Sequence, residues 1–550
     1  MSKDKFWIEQ TADHVEEFVR QHGDTAKRII SASGISPSGP IHLGNLREVM
    51  TSHLIAEELK RRGLNAEHIH SWDDFDRLRK VPQGVPEEFA QHIGRPISDI
   101  PDPFGEYESY ATRYMAEFER SLSRLGVHPR YIRQSQAYRR GDYREQIKLA
   151  MLKRFEIFDI LAEYQTHEGQ ETSRAQRRLE YYPFRVYCES CGKDTTTITH
   201  YDETTSIIDY TCGSCDYTGR LNLNEKVEGK LVWKVDWPMR WRYERVDFEP
   251  GGEDHSAPGS SYTVGKRIVK EIYGGHAPYF IGYAFVGLAG RSKISSSIGT
   301  NATPDVALDI MEPCMLRWLY IRRNARQKFD INFGREVVRL YDEWDAFGAR
   351  VGTGQVTEAE RLVYERCLKT STQVVEHSTL PVPFRILASA GDITQGNVEQ
   401  ILRIVAQHLE DPPPPDQLLP QIEPRLSRAI RWVSNYLPED ERTVIRTTHD
   451  SRTYEALPEE HKHGIKLLLE KMDENWSLQG LTKLIYGIPK LLLGLPMEAP
   501  PNDEIKTLQR SFFVSLYELL CASDTGPRLP TLLLSLGPQR VRDLLTPTKI

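Results

Sequence analysis

No run in the 550-residue chain is both long and apolar enough to span a bilayer. The longest uncharged stretch, 272–290, is interrupted by Gly274, Gly275, Pro278, Gly282 and Gly287 and reads as buried strand and loop. The first residues, MSKDKFWIEQ, lack the apolar centre of an export signal, so a cytoplasmic location is expected. Cysteine is scarce: there are seven, and four of them fall within 28 residues, which excludes a disulfide framework and suggests a metal site in a reducing compartment. An excess of positive charge is also missing. Lys+Arg 71 against Asp+Glu 78 leaves a net −7, which excludes a uniformly basic, nucleic-acid-coating surface but not a local basic groove. Neither a Walker A pattern nor GxGxxG occurs, which removes P-loop ATPases and typical dinucleotide enzymes as leading readings.

What is present is ordinary globular composition, 39% hydrophobic and 27% charged, in a chain long enough for three or four domains at roughly 150 residues each. A short helical start at 13–22 precedes Arg28–Ser33 (RIISAS), which reads as a strand running into a turn rich in Gly, Ser and Pro. Leu46, Met50 and Leu54 recur at helical spacing up to Gly63, and Ala66–Ser71 reads as a second strand ending in Trp72-Asp73-Asp74-Phe75-Asp76. This βαβ unit implies a parallel sheet with its ligand crevice at the C-terminal ends of the strands. Residues 105–180 read as helical and basic, with eleven Arg/Lys against four Asp/Glu between Arg113 and Arg154. Such a run is either a solvated face or a surface for phosphates. Leu231–Trp241 and Pro278–Gly287 read as returning strands of the same sheet, and helical periodicity dominates from about 300.

Cys188-x-x-Cys191 and Cys212-x-x-Cys215, with 20 residues between the inner pair, form the two-knuckle pattern of a four-cysteine zinc ribbon. Four thiolates close the coordination sphere and leave no position for a catalytic water, so the expected role is structural. Ser36-Pro37-Ser38-Gly39-Pro40-Ile41-His42-Leu43-Gly44-Asn45 lies where the first strand hands over to the first helix. A helix N-terminus there offers unpaired N–H groups to an anion, and His42 can donate to a phosphate oxygen. About 250 residues later, Arg291-Ser292-Lys293-Ile294-Ser295-Ser296-Ser297 supplies lysine and hydroxyls on a loop suited to a triphosphate. Either segment alone is weak; together, in this order, they are specific.

HLGN at 42–45 and KISSS at 293–297 resemble the HIGH and KMSKS signatures of class I aminoacyl-tRNA synthetases. SGISPSGPIHLGN, HSWDDFDRLRKVP, the four-cysteine insertion, WKVDWPMRW, FEPGGEDH and YAFVGL together resemble the class I lysyl-tRNA synthetases over roughly residues 25–300. The resemblance implies an α/β fold: a Rossmann-like parallel-sheet catalytic domain with an insertion bearing a four-cysteine zinc ribbon, followed by an all-α C-terminal region. It divides the chain into a first catalytic half at 1–104 and an insertion at 105–225, with the ribbon at about 185–220. A second catalytic half at 226–300, a helical connection at 301–370 and an anticodon-binding domain at 371–550 follow. It further implies ATP and Mg²⁺ in activating L-lysine, structural Zn²⁺ on Cys188, Cys191, Cys212 and Cys215, and transfer to the 2′-hydroxyl of tRNA(Lys).

By the same resemblance, Pro37, Ser38, Gly39, His42, Gly44, Asn45, Lys293, Ser295, Ser296 and Ser297 match ATP-handling positions. Asn45 replaces the second histidine of HIGH, and Ser296 the second lysine of KMSKS. Gly34, Ser36, Trp233, His255 and Tyr283 match lysine-contacting positions, although Trp233 and Tyr283 equally suit core packing. Asp73, Asp74 and Asp76 offer a carboxylate for the substrate ammonium or caps for the next helix, and Arg139 and Arg140 are candidate tRNA contacts. Trp432, Tyr436, Trp476 and Tyr486 suit either base stacking or core. No membrane partner is implied, and a monomer is compatible with the sequence. The alternatives are a glutamyl-type class I enzyme and a synthetase-derived RNA-binding protein without catalysis.

Overall fold

The computed structural model describes residues 5–22, 27–82, 84–164, 173–256, 259–288 and 302–547. Its centre is a parallel sheet. Helix α1 (Trp7–His22) precedes β1 (Ile29–Ile35), α2 (Leu43–Arg61), β2 (Ala66–Trp72), α3 (Tyr110–Arg124) and β3 (Arg130–Arg133). After the insertion come α8 (Trp233–Glu244), β9 (Phe248–Gly252), α9 (Ser261–Glu271) and β10 (Tyr279–Tyr283), completing five strands in the order β10-β9-β1-β2-β3. Strand β1 alternates between two cores: Ile29 and Ile35 join the α1, α2 and α3 side, Ile30 and Ala32 the α8 and α9 side. Both faces are covered, as a parallel sheet requires. Buried serines are satisfied within the layers: Ser31 Oγ donates to Ser52 O at 2.9 Å, and Ser33 Oγ bonds His68 Nε2 and His70 Nδ1 at 2.9 and 2.8 Å.

The chain builds outward from β1 through β2 to β3, then returns to the other side of β1 with β9, so the order reverses between β1 and β9. These two strands pair at Ser31 and Phe248. Beyond that rung they part, opening a crevice at the strands' C-terminal ends, where ligands of open α/β sheets lie.

The insertion contains α4 (Gln134–Arg140), α5 (Arg144–Leu152), α6 (Arg154–Ala162) and α7 (Arg174–Glu180). An antiparallel pair, β4 (Phe184–Val186) with β8 (Gly229–Leu231), then frames a three-stranded antiparallel ribbon of β5 (Thr196–Asp202), β6 (Ile207–Cys212) and β7 (Thr218–Asn222). Strand β3 falls within 105–225 yet pairs with β2 in the central sheet.

Leu231–Trp241 is not a returning strand. Only Gly229–Leu231 is extended, in the antiparallel pair, and Trp233–Glu244 is helical. The Val and Trp content favours strand on propensity, but Trp233, Trp237 and Trp241 recur every four residues, and stacking along one helical face wins. Of Pro278–Gly287, Tyr279–Tyr283 joins the sheet, whereas β11 (Val286–Leu288) leaves it to pair with β12 (Phe329–Ile331).

From α10 (Pro304–Leu308) and α11 (Pro313–Ile321) onward the chain is mainly helical. Helices as far as Arg425–Tyr436 share the core on the α2 side of the sheet, and those from Glu459–Lys471 onward build a second core around Leu468, Leu484, Phe512 and Leu533. Trp432 is buried, its indole donating to Phe333 O at 2.9 Å, and Tyr436 packs edge-on against Phe333. Trp476 packs against the second core, while Tyr486 is 39% exposed. Among the described residues no helix is long and apolar enough to cross a membrane.

Candidate active site

The turn from β1 to α2 carries the first signature. His42 is the N-cap of α2: its Nδ1 accepts the Gly44 N–H at 3.1 Å, and Asn45 Oδ1 accepts the His42 N–H at 3.4 Å. Because Nδ1 is an acceptor, the proton of the neutral ring sits on Nε2, and desolvation of the ring lowers its pKa. A neutral Nε2–H donor at a helix N-terminus suits a phosphate oxygen. Gly44 is required under this ring, since a Cβ there would lie 2.8 Å from His42 Nδ1. Gly39 faces open space, Pro37 is buried, and Ser38 is exposed with its carbonyl accepting the Tyr110 hydroxyl at 2.9 Å. Segments that follow the second signature grip α2: Leu43 N–H donates to Ala302 O, and Tyr320 OH to Leu43 O. Lys293, Ser295, Ser296 and Ser297 lie outside the described residues.

Beside this turn, at the parting of β1 and β9, is a cavity lined by Gly34, Asp73, Trp233, His255 and the indoles of Trp237 and Trp241. Four of the lysine-site candidates thus share one wall. Ser36 and Tyr283 border it, Ser36 Oγ lying 3.5 Å from Asp73 O and Tyr283 OH donating to Glu48 at 2.9 Å. Trp233 stacks on Trp237, and the His255 ring meets Trp237 edge to face.

Four carboxylates line the cavity: Glu48, Asp73, Glu244 and Glu249. Two are neutralised. Asp73 accepts from Arg240 at 2.9 Å and from Lys230 at 3.4 Å, in a buried cluster that also holds Asp76 and Asp236. Glu244 pairs with Arg130 at 3.2 Å. The other two meet only neutral donors among the described residues. Glu48 accepts from Gly34 N–H at 2.7 Å and from Tyr283 OH, and Glu249 accepts from the Trp241 indole at 2.6 Å. Burial without a cation pushes Glu48 up to about 8 and Glu249 up to about 7. Asp74 points away: it accepts the backbone N–H and hydroxyl of Ser135, at 2.9 and 2.5 Å, and so caps α4.

The sequence reading missed Glu48, Glu249, Lys230 and Arg240. Arg240 shares α8 with the spaced tryptophans, whose periodicity was the available signal. Glu48, six residues below His42, carries no local signature.

The four cysteine sulfurs lie within 4.8 Å of one another, a donor set fit for one tetrahedral metal ion, and exposed His200 is not among them. Their module is fastened to the loop after β2. Asp194 N–H donates to Gly94 O at 2.8 Å, Arg77 pairs with Asp194 at 3.1 Å, and Tyr187 OH donates to Phe75 O at 2.5 Å.

Arg139 and Arg140 are away from the cavity. Arg139 is held by Asp99 at 2.5 Å and Glu228 at 3.2 Å over the Phe75 ring, and Arg140 pairs with Asp142 at 2.6 Å. Other charges of the basic run are likewise paired: Arg113 is buried against Asp102, and Arg130 bridges Glu67 and Glu244.

The profile of the class I (K) tRNA synthetases matches residues 5–371. The chain is similar to the lysine–tRNA ligase of Streptomyces coelicolor, 44% identical with 98% of each chain covered. It is also similar to that of Pyrococcus horikoshii, 32% identical with 96% of this chain and 97% of the relative covered. Among solved structures, a glutamate–tRNA ligase from Elizabethkingia meningosepticum aligns at a TM-score of 0.41 and 14% identity, over 94% of this chain and 98% of that one. The chain belongs to the class I (K) tRNA synthetase family.

Proposed function

We propose that the chain ligates L-lysine to tRNA(Lys) at the expense of ATP. The observation that carries this reading is the cavity beside the HLGN turn: an indole wall for an aliphatic stem, with two carboxyls, half-buried Glu48 and buried Glu249, that meet no cation among the described residues. Lysine brings two ammonium groups and four methylenes. In the first half-reaction its carboxylate attacks the α-phosphorus of ATP and pyrophosphate leaves, giving lysyl-adenylate. In the second, the terminal adenosine 2′-hydroxyl attacks the activated carbonyl and AMP leaves. His42 donates through Nε2 to the phosphate oxygens, with Asn45 and Gly44 holding its ring. Pro37, Ser38 and Gly39 form the turn the nucleotide approaches. Lys293, Ser295, Ser296 and Ser297 complete the triphosphate site by family pattern. Positioning and charge stabilisation supply the rate, as in phosphoryl transfer generally. Mg²⁺ neutralises triphosphate charge when bound. Cys188, Cys191, Cys212 and Cys215 hold a structural Zn²⁺. Gly34, Ser36, Trp233, His255 and Tyr283 surround the amino acid, and Asp73 keeps Arg240 in place instead of meeting the substrate.

A glutamyl-type reading needs a free cation in the cavity. Among the described residues Arg240 is the arginine or lysine that lines it, and Asp73 and Asp236 already neutralise Arg240 at 2.9 and 3.1 Å. In ATP–pyrophosphate exchange, lysine alone among the twenty amino acids should stimulate the reaction, and His42→Ala should lower it by roughly 10²-fold or more. Exchange driven by glutamate, or lysine-driven exchange untouched in His42→Ala, would overturn this reading.

A further inference from the structure

The two unpaired carboxyls reach the cavity from opposite faces of the sheet, with different neighbours. Glu48 comes from α2, the helix that begins at His42. Its partners are the Gly34 N–H, immediately before the turn that approaches the nucleotide, and Tyr283. Three residues after Tyr283, Val286 opens β11, and its carbonyl would lie 3.5 Å from a Cβ on Gly44. Glu48 is therefore built into the phosphate-handling end of the site. Glu249 comes from β9 on the α8 side, held by the Trp241 indole with Trp237 beside it, and is buried. It lines the cavity at the aromatic wall, where an aliphatic stem would end.

Resting on the lysine reading above, we propose that the carboxylates divide the substrate's two ammonium groups: Glu48 holds the α-ammonium and Glu249 the side-chain ammonium, making Glu249 the specificity-determining residue. The attacking carboxylate of the amino acid must lie against the α-phosphate, and its α-ammonium is one carbon away, so it belongs to the carboxyl nearest the HLGN turn. The side-chain ammonium is four methylenes further on and belongs to the carboxyl at the far side. Each carboxyl gives its proton to solvent as the ammonium arrives, so charge balances within the cavity, consistent with burial having raised both carboxyls in its absence.

Analogues that each delete one ammonium separate the two roles. Norleucine lacks the side-chain ammonium and 6-aminohexanoate lacks the α-ammonium; both can be measured as competitive inhibitors of lysine-dependent exchange. Glu249→Gln, whose amide oxygen still accepts the Trp241 indole, should shrink the preference for lysine over norleucine by roughly 10²-fold. It should leave the preference over 6-aminohexanoate and the KM for ATP unchanged. Glu48→Gln should do the converse. Glu249→Asp, which retracts the carboxylate by one methylene, should raise the relative rate with homolysine and so read out the same contact through a gain. An unchanged lysine/norleucine ratio in Glu249→Gln, or its collapse in Glu48→Gln alone, would overturn the division of roles while leaving lysine activation standing. If the wild-type protein gave no lysine-dependent exchange, the functional reading itself would fall, and this inference with it.

Discussion

A carboxyl that must lose a proton before it can hold a cation ties substrate affinity to pH. Glu48 and Glu249 are raised to about 8 and about 7 by burial. The charged and titratable groups facing them are Arg240 and Glu244 from α8, Asp73 after β2, Tyr262 from α9 and Tyr283 from β10, with His255 also at the cavity, and the charge of Glu249 itself raises Glu48 further. Arg240 is spent on Asp73 and Asp236, so neither carboxyl gains a full counter-charge from the described residues. Lysine affinity should rise from pH 6 to 8, by up to about tenfold per unit for each carboxyl that must ionise, and calorimetry in buffers of different ionisation enthalpy should detect proton release on binding. The free protein should move the other way. Carboxyls whose folded pKa is raised stabilise the fold at low pH and lose that contribution as pH climbs from the ordinary carboxylate value of 4.5 to their own values of about 7 and about 8, so melting should fall over that span and saturating lysine should offset the loss at its upper end. Lysine affinity that is flat from pH 6 to 8 would show that these carboxyls do not meet it. At this scale the sequence is uneven. His42, Gly44 and Asn45 were legible because a helix N-cap has a local signature. For Asp74 the sequence left two roles open, because a capping aspartate and a recognition aspartate look identical until Ser135 is seen across from it. Glu48 and Glu249 were invisible because what singles them out is the absence of a cation, a property of three-dimensional neighbours.

Among the elements, α8 walls the cavity and the cysteine ribbon is fastened to the loop that carries Asp73. The WKVDWPMRW segment misleads as a strand because tryptophan and valine favour extended structure. Its four-residue tryptophan period, the helical signature, puts three indoles in contact along one face, Trp233 stacked on Trp237 and Trp241 tilted against it. The cysteine spacing, by contrast, was legible outright, since knuckle geometry is local and the pairing of two knuckles needs only a β-ribbon between them. What spacing did not convey is where the ribbon is fastened. Strand β8, leaving the ribbon, buries Lys230 against Asp73, Asp76 and Asp236. Asp194 and Tyr187 are bonded to the loop after β2. Loss of the metal should therefore be felt beyond the ribbon. The purified protein should carry one zinc per chain, and Cys212→Ser should lose it. Amide hydrogen exchange should then quicken both in the ribbon and at residues 73–99. Quickening confined to the ribbon would show that the module is merely appended.

At the scale of the molecule, the net charge of −7 conceals a distribution. The excess of basic residues from Arg113 to Arg154 was readable from the sequence, but most of it is spoken for. Arg113, Arg130 and Arg139 are each tied to acids elsewhere in the chain, and a linear charge count cannot see those pairings. The parallel sheet was legible from the βαβ pattern and from Tyr279–Tyr283, because strand, helix and turn periods are local, whereas the other expected return, Leu231–Trp241, is mostly helix and its place in the sheet is taken by Phe248–Gly252. The rung at which β1 and β9 part, which creates the cavity, depends on pairing across more than two hundred residues and left no local trace. Sheet, crevice, HLGN turn and indole wall together support one central claim, that this chain joins lysine to tRNA; the class I resemblance adds that the acceptor is the 2′-hydroxyl. The most direct test is charging of tRNA(Lys) whose terminal adenosine carries either a 2′-deoxy or a 3′-deoxy ribose, with ATP, Mg²⁺ and radiolabelled lysine. The account predicts that the 3′-deoxy tRNA accepts lysine and the 2′-deoxy tRNA does not. Charging of the 2′-deoxy tRNA, or no charging with lysine on intact tRNA(Lys), would contradict it.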